Sequence, residues 1–313
     1  MIRVLSLLLT VTLLSACDTP TAKQTEHLAP EGLFTAALSE HYALVAGTLG
    51  PARLWRITPK REIVHTWQHT EANDGIIKVA ISGDERYAIT AERHSFAWWR
   101  IADGQLLDVW SLPDIQSLAL AHDGTFALIG LEDKAVYFAL EYGRTIHAFT
   151  HDAAVTTVAL SASGQFAITG SADTSAKLWR LTDGQLLHRF AHKNALMTVA
   201  ISPDDRYVFS NAELGRARLW HLKSGKLKTT LGPEWLTLTS AAFAQDGLKL
   251  VTGQMAGRIE LWQTSTGKAL KLWRTKKSEQ GRGVAGTPLA LSLPPNKDIV
   301  SINGNGYLQR WRQ

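Results

Sequence analysis

The sequence predicts an all-β fold assembled from one small sheet repeated around a ring, and three observations carry that prediction. First, residues 151 to 190, HDAAVTTVALSASGQFAITGSADTSAKLWRLTDGQLLHRF, show period-2 alternation over four short runs, near Val155 to Leu160, Phe166 to Gly170, Ala176 to Leu181 and Gln185 to Phe190. Second, Ser163-Gly164, Ala172-Asp173 and Asp183-Gly184 separate the runs, and Gly, Asp and Ser tolerate the backbone angles of tight turns. Third, a large aromatic returns at Trp55, Trp99, Phe138, Trp179, Trp220, Trp262 and Trp311, at spacings of 44, 39, 41, 41, 42 and 49 residues. A period of about 40 to 45 residues is that of a four-stranded propeller blade. Seven such units make a seven-bladed β-propeller.

The chain has 313 residues, 45% of them hydrophobic and 19% charged, which is enough apolar material for a large core. Eleven Trp is high, and a side chain so costly to hydrate implies one buried position copied many times. The first sixteen residues differ in kind: Arg3, an apolar run from Val4 to Leu14, then Ser15 and Ala16. That is the pattern of a signal peptide, too short to span a bilayer as a mature helix. Leu14-Ser15-Ala16-Cys17 resembles the lipobox of bacterial lipoproteins, and Cys17 is the one cysteine. The resemblance implies that Cys17 is acylated, palmitate included, and becomes the mature N-terminus. Asp18 behind it resembles the signal that retains lipoproteins in the inner membrane, so the expected address is the periplasmic face of that membrane. The expected organisation is a signal peptide over 1–16, lipidated Cys17 and a polar tether over 17–24, and the propeller over 25–313.

Around the marker aromatics the third-strand segments read ARLWRI, FAWWRI, AVYFAL, AKLWRL, ARLWHL, IELWQT and YLQRWR. Most lead through a turn into a fourth strand, as in ADGQLLDVW, TDGQLLHRF and STGKALKLW. In the seventh unit, strands are expected at Leu289 to Leu293, Asp298 to Ile302 and Tyr307 to Arg312, with none after them. An open array would leave strand edges exposed. Residues 23–28, KQTEHL, precede the first inner strand near Leu33 to Leu38 and are expected to supply the missing fourth strand of the last blade.

These segments resemble WD-type repeats, covering roughly residues 25 to 313. The chain departs from the family pattern in that no marker Trp is followed by Asp, and the usual Gly-His pair survives only through its His, in Gln68-His69, Thr150-His151 and Ala191-His192. The resemblance implies a structural tetrad of His151, Thr169, Asp173 and Trp179, joining a loop, two strands and a turn. Although it looks like a catalytic relay, a motif copied around a ring serves the scaffold, giving buried polar atoms their partners. The fifth unit keeps His192, Ser210 and Trp220 with Leu214 at the Asp position; the seventh offers Ser301, Asn305 and Trp311.

Other chemistry reads as background. Gly281 to Gly286 has dinucleotide-loop spacing without the flanking parallel strand and helix that a pyrophosphate needs. It lies in the longest loop, Arg274 to Thr287, whose Arg274, Lys276, Lys277 and Arg282 suit an acidic partner, anionic headgroups or plain solvation. His65 and His69 would lie about 13 Å apart on a strand, too far to share a metal. There is no Cys/His cluster with metal-ligand spacing and no nucleophile elbow. Net charge is +5, or +4 once Arg3 leaves with the signal peptide, spread along the blades. In a periplasm this argues against nucleic acid.

The expected function is a non-catalytic platform for a protein or peptide partner, without cofactor or metal, because such rings present loops on two faces of a rigid disc. The alternatives are an envelope-assembly scaffold of the outer membrane and a propeller enzyme binding a small molecule or cofactor in its channel. Candidate partner-binding residues lie in the loops that join outer to inner and second to third strands: Arg93, His94, Asp133, Lys134, Glu213, Trp235, Met255 and Arg282. Asn73, Asp74, Lys193 and Asn194 belong to the same loops. Trp235, beside Pro233 and Glu234, is expected in a loop, either as the anchor of a partner or packed against the neighbouring blade.

Overall fold

A computed structural model of the chain describes residues 20–48, 50–68, 75–278, 285–295 and 297–313. Cys17, Asp18, His69, Asn73, Asp74 and Arg282 lie outside the described residues. Seven four-stranded antiparallel sheets make up the fold. In the fourth, taken from the channel outward, the strands are Thr157–Leu160, Phe166–Gly170, Ser175–Arg180 and Leu186–Ala191. These fall within two residues of the expected bounds, since the alternation and the turn residues fix both ends. The described residues contain no helix long and apolar enough to cross a membrane.

Inner strands of successive blades lie side by side all the way round, including Thr35–Leu38 of blade 1 against Pro288–Ser292 of blade 7. The ring is therefore closed. Its closure is shared between the chain ends: Gln24–His27 pairs antiparallel with Tyr307–Trp311, from Gln24 opposite Arg310 to His27 opposite Tyr307. The expected N-terminal fourth strand is thus the observed one. Lys23 reinforces it through an ion pair of 2.9 Å with Asp298.

The core is divided among the blade interfaces. Seven apolar clusters occupy the seven gaps; the one between blades 3 and 4, for example, holds Leu128, Tyr137, Phe149, Val155, Ala167 and Trp179. A fourth-strand aromatic of one blade meets the marker Trp of the next: Trp67 on Trp99 at 5.1 Å, Phe149 on Trp179 at 4.7 Å and Phe190 on Trp220 at 4.6 Å between ring centroids. Each pair adds about 0.5–1.5 kcal/mol beyond the area it buries. That is why the aromatic recurs once per period: it is the key of one blade in the lock of another. In blades 1 to 6 the register between third and fourth strands shifts immediately before the marker, as at Leu178/Trp179. Such a bulge bends and twists the strand locally.

A second recurrent contact is not apparent from period or turn signals. Two residues before the fourth-strand aromatic stand His65, His147 and His188, and each ring Nε2 bonds a main-chain carbonyl of the following blade, at Ile101 (2.8 Å), Leu181 (3.0 Å) and Lys223 (3.2 Å). The turn beneath requires glycine. Gly184 has φ +71°, and a Cβ there would sit 2.8 Å from His147 Nδ1, so the left-handed backbone and the close approach impose the same residue.

Candidate functional site

The loops joining fourth to first and second to third strands share one rim of the disc, here the upper face. Beneath it in blade 4 lies the most complete polar network. The Trp179 indole N–H donates to Thr169 Oγ1 at 2.9 Å. His151 Nε2 lies 2.7 Å from the same oxygen, and its Nδ1 lies 2.7 Å from Asp173 Oδ2. Since indole only donates, the arrangement in which every group is satisfied has the Thr169 hydroxyl donating to Nε2 and Nδ1–H donating to the carboxylate. Asp173 also accepts from the Ser175 hydroxyl (2.6 Å) and from the N–H groups of Ser175 (2.8 Å) and Asp152 (3.1 Å).

Burial lowers the His151 pKa against the opposing pull of Asp173, so the ring is neutral at physiological pH. For Asp173 burial acts upward, but the Ser175 hydroxyl, the His151 ring and two backbone N–H groups outweigh it and hold the carboxyl well below its ordinary range. The side chains of His151 and Asp173 are 0% and 4% exposed, so no substrate reaches them. The network ties the loop before blade 4 to its second-to-third-strand turn.

The other blades keep parts of it. Trp99 donates to Thr90, Trp262 to Thr252 and Trp311 to Ser301, at 2.9 to 3.0 Å. In blade 7, Asn305 reaches the Lys276 carbonyl at 2.9 Å while its own buried Oδ1 has no partner among the described residues. Blade 3 is apolar at both positions, with Ile129 and Phe138 buried. Blade 1 retains Trp55 opposite a sheet whose hydroxyl position is Val45, and the Trp55 indole N–H is accordingly buried without an acceptor among the described residues.

Blade 5 is the informative departure. Trp220 donates to Ser210 at 2.8 Å, and His192 Nε2 lies 2.9 Å from that hydroxyl. Leu214 occupies the carboxylate's place. Burial, aided by nearby Arg218, pushes His192 down to about 4. Leu214 instead faces solvent, 53% exposed, in a left-handed backbone conformation with φ +45°. Its N–H donates to Thr237 Oγ1 at 3.1 Å, which places it beside the end of the fourth strand, Leu227–Leu236.

Trp235 belongs to that strand. It sits in a four-residue irregularity, Gly232 to Trp235, between the pairs Ala217–Leu231 and Gly215–Leu236, so the expected simple loop is corrected to a bulged strand end. The physical cause is that Gly232 (φ +64°) and Pro233 break the ladder without ending the extended chain. Of the two alternatives for Trp235, solvent rather than the neighbouring blade surrounds it: the side chain is 72% exposed, at φ +72°, a costly conformation for a bulky residue. Met255, 60% exposed, lies one residue beyond the Leu238–Gln254 pair and so flanks Thr237 from blade 6. Trp235, Leu214 and Met255 are thus three exposed apolar side chains grouped around Thr237, here called the apolar lip.

The remaining candidates form a second group. Arg93 donates to Asp114 at 2.9 Å, and His94 Nδ1 accepts the Asp114 N–H at 3.4 Å. Asp133 and Lys134, 3.7 Å apart, help line a depression of about 610 Å³ with Asp114, Glu132 and Asp152. Glu213 joins the lip through its position next to Leu214, and its carbonyl accepts from Asn194 Nδ2 at 2.8 Å. Among the described residues no group of three His, Cys, Asp or Glu could hold a metal ion. Leu214 was legible in the sequence only as a gap in the tetrad, not as a surface residue; the signal for the latter was an apolar side chain in a turn where the complete blade carries Asp.

A disc of seven four-stranded sheets, with Trp–hydroxyl pairs beneath one loop-bearing face, is a seven-bladed β-propeller. The family model described as WD domain, G-beta repeat matches residues 143–180 and 184–221, so these two stretches are similar to WD40 repeats. Among the described residues, those two stretches keep His, hydroxyl and Trp hydrogen-bonded together. Each starts in the turn before the outer strand of one blade and ends just past the marker Trp of the next, so a sequence repeat staples two structural blades. The comparison with curated proteins gave no match.

Proposed function

We propose that the protein is a non-catalytic interaction scaffold that grips a protein partner with the apolar lip of blades 5 and 6. The observation that carries this reading is Trp235, a large aromatic left in water on strained backbone beside two further exposed apolar side chains. Hydrating such a surface is unfavourable, and aromatic anchors of this type dominate binding energy at protein interfaces. A rigid ring holds the lip in place, so little ordering is lost on association.

The scaffold is lipid-anchored through Cys17 and held by Asp18 at the periplasmic face of the inner membrane; the lipobox-like Leu14-Ser15-Ala16-Cys17 supports this placement. Affinity capture after crosslinking in intact cells tests the main reading. A partner recovered with the native chain is absent with Trp235→Ala, while recovery unaffected by that change refutes the lip. Labelling with radioactive palmitate that persists in Cys17→Ala refutes the anchor, and an unchanged membrane fraction for Asp18→Ser refutes the sorting assignment.

A further inference from the structure

The lip continues into a surface of different chemistry. Along the upper face, the Ala172 N–H bonds the Ala154 carbonyl (2.8 Å), Leu196 N–H bonds Ser171 (3.1 Å), Glu213 N–H bonds Ala195 (2.8 Å) and Leu214 N–H bonds the Thr237 hydroxyl. These contacts make one unbroken arc from the depression of blades 3 and 4 to the lip of blades 5 and 6. Leu131 and the small residues Ala153, Ala154 and Ala172 line the depression. Asp114 and Asp133 are paired with Arg93 and Lys134. Glu132 and Asp152, by contrast, are exposed and make no ion pair among the described residues, and Glu213 further along is likewise exposed and unpaired among them. Lys193 is an exposed cation on the same arc. On a chain of net charge +5 the three free carboxylates are a local inversion of sign.

Building on the reading that the lip binds a protein, we infer that the arc takes a cationic segment carrying an apolar residue. The apolar side chain rests on Trp235, Leu214 and Met255. The Lys or Arg residues lay their methylene stems over the alanine floor and bring their charged heads to Glu132 and Asp152. Rim carboxylates of this kind steer approach and set specificity, while the desolvated lip supplies most of the affinity.

The test uses the full propeller and two labelled short peptides, one with a leucine pair followed by lysines and its counterpart with glutamates for lysines, read by fluorescence anisotropy. The lysine peptide is expected to bind at least about tenfold tighter, with the advantage shrinking as salt rises. The double variant Glu132→Lys/Asp152→Lys loses that advantage, and Lys193→Glu enlarges it, all three proteins melting alike. Equal binding of the two peptides, no binding of either, or indifference to the double variant overturns the inference. If Trp235→Ala abolishes binding of both peptides while the charge reversals change nothing, the lip stands and the cationic partner falls. Binding to phosphatidylglycerol vesicles that is lost in Trp235→Ala assigns the lip to lipid and overturns it as well.

Discussion

Blades 4 and 5 share a plan and differ at one turn residue, and the difference separates what holds the ring from what the ring presents. In blade 4, Asp173 closes the chain Trp179, Thr169, His151 and fixes its turn, leaving nothing for a partner to grasp. In blade 5, Leu214 leaves His192 without a carboxylate and exposes an apolar side chain near Thr237, two residues beyond Trp235. A position that closes a buried network in one blade faces solvent in the next.

The largest expected effect falls on the complete network. His151→Ala takes one of four donors from the Asp173 carboxylate and the acceptor from the Thr169 hydroxyl, and is expected to cost about 1–3 kcal/mol in thermal or urea unfolding. His192→Ala, which orphans one hydroxyl, is expected to cost about 1 kcal/mol. Equal losses at the two sites would erase the distinction between the blades.

The pH dependence sharpens it. The folded His192 pKa of about 4 lies below the ordinary value of 6.5, so between these limits the unfolded chain binds a proton that the folded chain refuses. Stability therefore falls as pH drops from about 6.5 toward 4, with a slope of at most about 1.4 kcal/mol per pH unit. Leu214→Asp supplies the missing acceptor and is expected to raise the His192 pKa and flatten this decline, as followed by imidazole NMR titration and unfolding at each pH. Asp173, held low, acts at more acid pH: its stabilisation is present above the usual Asp value of 3.8 and is lost as pH falls below it toward the folded pKa.

The smallest effect on stability belongs to the lip. Trp235→Ala removes no buried contact and is expected to stay within about 0.5 kcal/mol of the parent in unfolding, and to act on partner capture alone. A large loss of stability would show that the exposed ring supports the fold.

Blades 1 and 3 extend the contrast. Blade 3 replaced both members of the hydroxyl–indole pair with Ile129 and Phe138, which satisfies the interior without hydrogen bonds. Blade 1 lost the acceptor alone and carries a Trp55 N–H with no partner among the described residues. Loss of one partner leaves a desolvation cost that loss of both avoids.

The period, turn glycines and marker aromatics determined the sheet count, the strand bounds and the closure by residues 23–28, because each blade must bury the same face against its neighbour. Trp220 and Leu214 could be named as members of a repeat, and Trp235 as an anchor or a packed ring. What the tertiary structure alone decided was exposure and adjacency. Whether Trp235 meets water depends on a bulge opposite Arg216. That Leu214, Trp235 and Met255 are grouped around Thr237 depends on two blades converging there, and the three histidine clamps depend on the angle between blades. Period-2 patterning assigns a residue to a face of its own strand; only the packed ring brings residues from separate blades together.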